Sequence, residues 1–177
     1  ADLIAREGGP ENAARPLTPA TDKPGPYKGV GNDNEWGGKY ADILRRIMGA
    51  DMAVIPEQYD RAVQSEYPGG TTGHGHGAVD RFWMSLRASF PDATFAIDHQ
   101  IGRSDAMMPP RAAIRWALHG KHDGWGYFGA PTGAEVYVLG ISHAEFGSLG
   151  AAAPAIRREF TLFDETSIWK QILLKTG

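Results

Sequence analysis

The chain has 177 residues, 42% hydrophobic and 22% charged, with a formal net charge of −3. That suffices for one domain with its own core, and the acidic balance, with no basic run beyond Arg45-Arg46 or Arg157-Arg158, excludes the positive field of a nucleic-acid binder. There is no cysteine, hence no disulfide framework, thiolate nucleophile or cysteine zinc site, and no run reaches the roughly 20 apolar residues of a membrane span.

Residues 1 to 30 are rich in Ala, Pro, Gly and charge, and PLTPATDKPGPYKG cannot hold a regular helix. They read as an extended arm or a former linker, with 31–177 as a single domain. The N-terminus lacks the apolar core of a signal peptide, and the lack of cysteine fits a reducing cytoplasm, the expected location. The N-terminus also lacks an initiator Met, which points to processing or to a longer parent chain.

From Tyr40 the pattern turns helical. Tyr40, Ile43, Leu44 and Ile47 fall on one stripe, and Gly49 ends it. A second short helix is expected around Pro56 to Gln64, with proline at an early position, and YPGGTTGHGHG reads as a loop. Val79, Phe82, Trp83, Leu86 and Phe90 predict an amphipathic helix over residues 78–90, stopped by Pro91-Asp92.

After Asp92 the period shortens. TFAIDHQI, AAIRWALH, EVYVLGISHAEF and IRREFTLF read as four strands, and GSLGAAAPA (147–155) as a loop. Ile168, Trp169 and Ile172 predict a closing helix over 165–174, with Asp164 at its N-cap. Helices first and then a run of strands indicate an α+β fold, a curled antiparallel or mixed sheet covered by helices.

GKHDGWGYFGAPTG, residues 120–133, is the most unusual stretch. A dinucleotide loop needs its glycines between a strand and a helix. Here they lie between two strands, so the phosphate reading fails. His74 and His76, and His119 and His122, read as loop histidines, because no dense carboxylate cluster completes a metal site. Nothing resembles the GxSxG elbow of a serine hydrolase.

Acid–base chemistry in a cavity remains. In IRWALHG, Arg115, Ala117 and His119 share one strand face and Trp116 and Leu118 the other. In IRREFTLF, Glu159, Thr161 and Phe163 alternate with Phe160 and Leu162. A curled sheet would bury Arg115 and Glu159 in part, either as a pair or aimed at a ligand. Glu159 or His99 is the candidate proton-transfer group, Arg115 the polariser and Thr161 a hydrogen-bond donor. Trp125 and Tyr127 are expected at a pocket mouth, and Trp83, Trp116 and His119 as further ligand contacts.

Four motifs in order resemble the SnoaL-like, or polyketide cyclase-like, family of the nuclear transport factor 2-like superfamily: GHGAVDRFWMSLRASFPD (75–92), IRWALHGKHDG (114–124), GAPTGAEVYVLGISH (129–143) and IRREFTLFDETSIWKQI (156–172). The resemblance implies a cone-shaped sheet closed by helices around an apolar pocket, and a homodimer through the outer sheet. It implies an apolar small-molecule substrate or ligand, with no nucleic acid or membrane partner and no metal or organic cofactor. The implied activity is aldol cyclisation, isomerisation, or epoxide or ester hydrolysis, by a lyase, isomerase or hydrolase. One departure counts against it. The family's acid–base aspartate, three residues before the match to Asp164, is here Thr161, and threonine is no carboxylate base. A non-catalytic ligand-binding or dimerisation module is therefore the alternative.

Overall fold

The computed structural model describes residues 2–22, 25, 30–147 and 153–177. The arm, expected to be extended, carries a five-residue helix, α1 (Asp2–Arg6). Ile4 on α1 is buried, and Lys170 of the closing helix donates to Glu7 at 2.7 Å. A two-residue strand follows, β1 (Val30–Gly31).

Helix α2 (Glu35–Met48) starts ahead of its apolar stripe because Asn34 caps it, accepting from the Trp36 amide at 3.0 Å. Tyr40, Ile43, Leu44 and Ile47 are all buried, as their spacing predicts, and Gly49 ends the helix. The expected 56–64 helix is mostly a strand. A short α3 (Val54–Gln58) gives way at once to β2 (Tyr59–Tyr67). The two-residue alternation Val63, Ser65, Tyr67 buries one face of β2, and its pairing with a distant strand overrides the local proline signal. The expected loop after it holds β3 (Thr71–His74), antiparallel to β2. Gly69 and Gly70, at φ 79° and 72°, make that hairpin turn.

Then come α4 (His76–Ser89), β4 (Thr94–Arg103), β5 (Arg111–Lys121), β6 (Glu135–Phe146), β7 (Ile156–Phe163) and α5 (Glu165–Thr176). The four strands and the closing helix stand where the sequence pattern puts them, and Asp164 caps α5 by accepting from the Ser167 amide at 3.0 Å. The 147–155 loop expectation falls partly on residues outside those described.

The sheet runs β1-β4-β5-β6-β7-β2-β3. Strands β4 to β7 are antiparallel, and β2 joins β7 in parallel. The architecture is α+β. The register gives the inner face three rows: Trp116–Gly140–Phe163, Ile114–Ser142–Thr161 and Ala112–Ala144–Glu159. Helices α2 and α4 pack against these rows, and their apolar stripes join the core. The outer face carries Arg115, Ile141 and Leu162 side by side. Since side chains alternate along a strand, Arg115 and Glu159 stand on opposite faces of the sheet.

The 120–133 stretch connects β5 to β6 and lies flat on α4. A Cβ at Gly124 would sit 1.8 Å from the Ala88 carbonyl oxygen, and one at Gly126 2.3 Å from that of Ser85. Close approach is the reason for those two glycines. The His122 carbonyl accepts from the Thr132 and Gly133 amides, and its Nδ1 meets the Thr132 hydroxyl at 3.0 Å. His122 is a buried staple, and burial holds its pKa below the ordinary value.

Candidate functional site

Glu159 is the centre of the cone. It is fully buried on β7, and four donors from three other elements converge on it. Oε1 accepts from the Tyr40 hydroxyl at 3.0 Å and the Tyr59 hydroxyl at 2.6 Å. Oε2 accepts from the Tyr67 hydroxyl at 2.9 Å and the Trp83 indole N–H at 3.2 Å. Helix α2 supplies Tyr40, the two ends of β2 supply Tyr59 and Tyr67, and α4 supplies Trp83. An ionised carboxylate has about four lone-pair directions, and all are filled.

Burial raises the Glu159 pKa above its ordinary value, while the hydrogen bonds from Tyr59, Tyr67, Tyr40 and Trp83 pull it back. Burial and the neighbouring Glu159 carboxylate raise the Tyr40 and Tyr59 hydroxyls well above the usual phenol range, and Tyr67 in the same direction. The three phenols therefore stay donors, and the donor set complements the ionised carboxylate.

A second polar chain adjoins this cage. The Trp116 indole donates to the Ser142 hydroxyl at 3.0 Å, and Ser142 meets the Thr161 hydroxyl at 2.8 Å. Trp116 fits because its row neighbour is Gly140, where a Cβ would lie 2.1 Å from the indole ring. Thr161, at the position of the resemblance's aspartate, is thus a buried hydroxyl within a closed network.

At the cone mouth a pocket of about 250 Å³ is lined by Tyr67, Thr72, Arg81, Phe82, Ser85 and Tyr127, among others. Tyr67 belongs to both the pocket lining and the Glu159 cage. Its ring stacks on Phe82 with centroids 3.7 Å apart. Tyr127 donates to Glu165 at 2.5 Å, and burial raises its phenol pKa.

The structure brings Glu159, Thr161, Trp83, Trp116 and Tyr127 to the cone interior or its mouth. It sends the other candidates elsewhere. Arg115 lies on the outer face and forms no pair with Glu159. His99 stands opposite Arg115 in the β4–β5 register and lines a separate opening with Asn32 and Arg45. His119 meets Glu135 at 2.8 Å near the strand end, and Trp125 is 73% exposed, outside the mouth lining. The sequence reading missed Tyr40, Tyr59, Tyr67 and Ser142 as site residues. The alternation in YDRAVQSEY carried a usable signal, since a strand there puts Tyr59 and Tyr67 on buried positions. Among the described residues no three His, Asp or Glu side chains are grouped to hold a metal ion, and no helix is long and apolar enough to cross a membrane.

Comparison with known proteins places the chain in a family. The model of the SnoaL-like domain matches residues 40–150. No curated protein matches the sequence. Among solved structures, a protein from Jannaschia sp. CCS1 named as a SnoaL-like polyketide cyclase aligns at a TM-score of 0.61 and 14% identity, covering 80% of this chain and 96% of that one. IdmH from Streptomyces antibioticus, named as a polyketide cyclase, aligns at 0.62 and 18%, covering 78% and 99%. AclR from Streptomyces galilaeus, named as a hydroxylase, aligns at 0.58 and 11%, covering 78% and 87%. At these identities the structural likenesses speak to fold alone. With the family model spanning more than half of its length, the chain belongs to the SnoaL-like domain family.

Proposed function

We propose that the chain is a small-molecule enzyme of the cyclase kind, moving protons next to a carbonyl group inside the cone, with Glu159 as the acid–base group. One observation carries this reading: a carboxylate fully buried among three phenols and an indole, with no ion pair among the described residues. Burying a carboxylate opposes folding, while a carboxylate pushed upward by desolvation suits proton transfer near neutrality.

Tyr67 links the cage to the mouth and is the donor best placed to exchange partners. An apolar carbonyl compound entering past Phe82 takes the Tyr67 hydroxyl as donor to its oxygen, which frees one lone pair of Glu159 Oε2 while the Trp83 indole still donates to the other. Glu159 then removes a proton from the adjacent carbon, and the C–H electron pair moves onto the carbonyl oxygen as an enolate held by Tyr67. Return of the proton elsewhere gives isomerisation, and attack of the enolate on a second carbonyl closes a ring.

The second reading, a non-catalytic binding module, draws on a specific observation of its own. All acceptor positions of Glu159 are taken, Trp116 fills the neighbouring row, and Thr161 stands in place of an acid. Deuterium exchange at the carbon next to the carbonyl of 2-tetralone in D2O separates the two. The enzyme reading expects exchange above buffer that falls about 100-fold or more in Glu159→Gln and about tenfold in Tyr67→Phe, each variant being checked for fold by circular dichroism. Binding of the ketone without exchange, or exchange unaltered in Glu159→Gln, supports the module instead.

A further inference from the structure

A second pocket, of about 630 Å³, opens on the outer face of the sheet, separate from the cone interior. Leu139, Ile141 and Leu162 form its apolar wall and are 39%, 58% and 66% exposed. Asp22 and Gly25 of the arm also line it.

Two charged side chains in this pocket have no hydrogen-bond or ion-pair partner among the described residues. Asp98, only 8% exposed, lines it from the irregularity in β4 between Ile97 and His99. Arg115 is half-buried across the β4–β5 pairing. Among the described residues, neither side chain has a hydrogen bond or ion pair, to the other or to anything else. They share one electrostatic neighbourhood: the Tyr137 phenol is raised chiefly by burial and then by Asp22 and Asp98, and lowered by Arg115. The other two carboxylates are occupied, Asp22 by the Tyr137 hydroxyl at 2.8 Å and Asp164 by the α5 cap. An unpartnered carboxylate that is nine-tenths buried is rare in a folded protein. A ligand that completes it and Arg115 together resolves both.

We propose that this outer-face pocket binds a neutral amphipathic molecule whose head carries an acceptor beside a donor, such as a primary amide or a hydroxy-carbonyl. Arg115 donates to the acceptor, Asp98 accepts from the donor, and the apolar body lies on Leu139, Ile141 and Leu162. Charge argues against the alternatives. Among the described lining residues, an anionic head would meet Asp22, Asp98 and Asp164 against Arg115, and a cationic head would meet Arg115.

The test titrates octanamide into the full chain, with octanoate and octylammonium alongside, read by calorimetry and backbone amide shifts. The expected result is octanamide binding at least about tenfold tighter than either charged analogue, with shifts at Ile141 and Leu162. Asp98→Leu and Arg115→Leu should each weaken it by about tenfold or more. The comparison of three probes on the unaltered chain stands even where a variant fails to fold. Octanoate or octylammonium binding tightest, or three equal affinities, overturns the proposal. So does no binding by any probe together with a homodimer that covers Ile141 and Leu162, the outcome in which a second copy fills this face.

Discussion

Tyr59 donates to Glu159 Oε1 at 2.6 Å across the parallel β2–β7 pairing, a bond between residues 100 positions apart in the chain. It ties β2 to its neighbour β7 in the sheet, and it is the shortest of the four bonds that hold the buried carboxylate.

Removing that hydroxyl leaves a lone pair of a buried carboxylate without a donor. Tyr59→Phe should therefore destabilise the fold by about 1–3 kcal/mol, read as a fall in denaturant midpoint at unchanged m-value. A fall in the m-value instead would mean that the change loosens the sheet rather than the bond. Glu159→Gln should also lower the melting temperature, because its amide turns two donors toward groups that already donate.

Stability should depend on pH through Glu159. Its pKa is raised in the fold above the ordinary 4.5, so the folded state holds its proton to higher pH than the unfolded chain. As pH rises from about 4.5 through the folded pKa, the unfolded chain ionises first and stability falls. Melting temperatures from pH 4 to 8 should show this slope in the wild-type chain, and the difference from Glu159→Gln isolates it. A slope of opposite sign would mean that the four donors outweigh burial.

His122 works in the other direction. Its pKa is lowered from the ordinary 6.5 by burial, so the unfolded chain takes up the proton first as pH falls below about 6.5, and the stability contributed by the neutral imidazole is lost on the acid side. His122→Gln should flatten that limb of the melting curve, and an unaltered limb would assign it to other groups.

Gly140 and Trp116 are coupled by contact. Gly140→Ala places a methyl group where the indole lies and should cost about 1–3 kcal/mol or more by overpacking. Trp116→Phe in the same chain should recover part of that loss, giving a non-additive double-mutant cycle. Simple additivity would show that the ring swings aside freely.

Much of the fold was legible because its signals are local. The stripes of α2 and α4, the Asp164 cap and the alternation in β5, β6 and β7 need only periodicity and capping chemistry, and the structure reproduces them. The β2–β3 hairpin was not legible in the same way. Pro56 and a glycine-rich run point locally to helix and loop, and only pairing with β7, about ninety residues on, makes a strand there.

The candidate site divides along the same line. Alternation within IRWALHG and IRREFTLF correctly sorted Arg115 from Trp116 and Glu159 from Phe160, but a strand pattern does not say which face of one strand matches which face of another. That is fixed by register: Ile141 beside Arg115 and Ala144 beside Glu159 send the two charges to opposite sides of the sheet. By itself the sequence determined the α+β class and the family resemblance. Tertiary structure decided what surrounds Glu159, because three tyrosines and a tryptophan from α2, β2 and α4 reach one carboxylate only when the inner face of the sheet is packed against its helices.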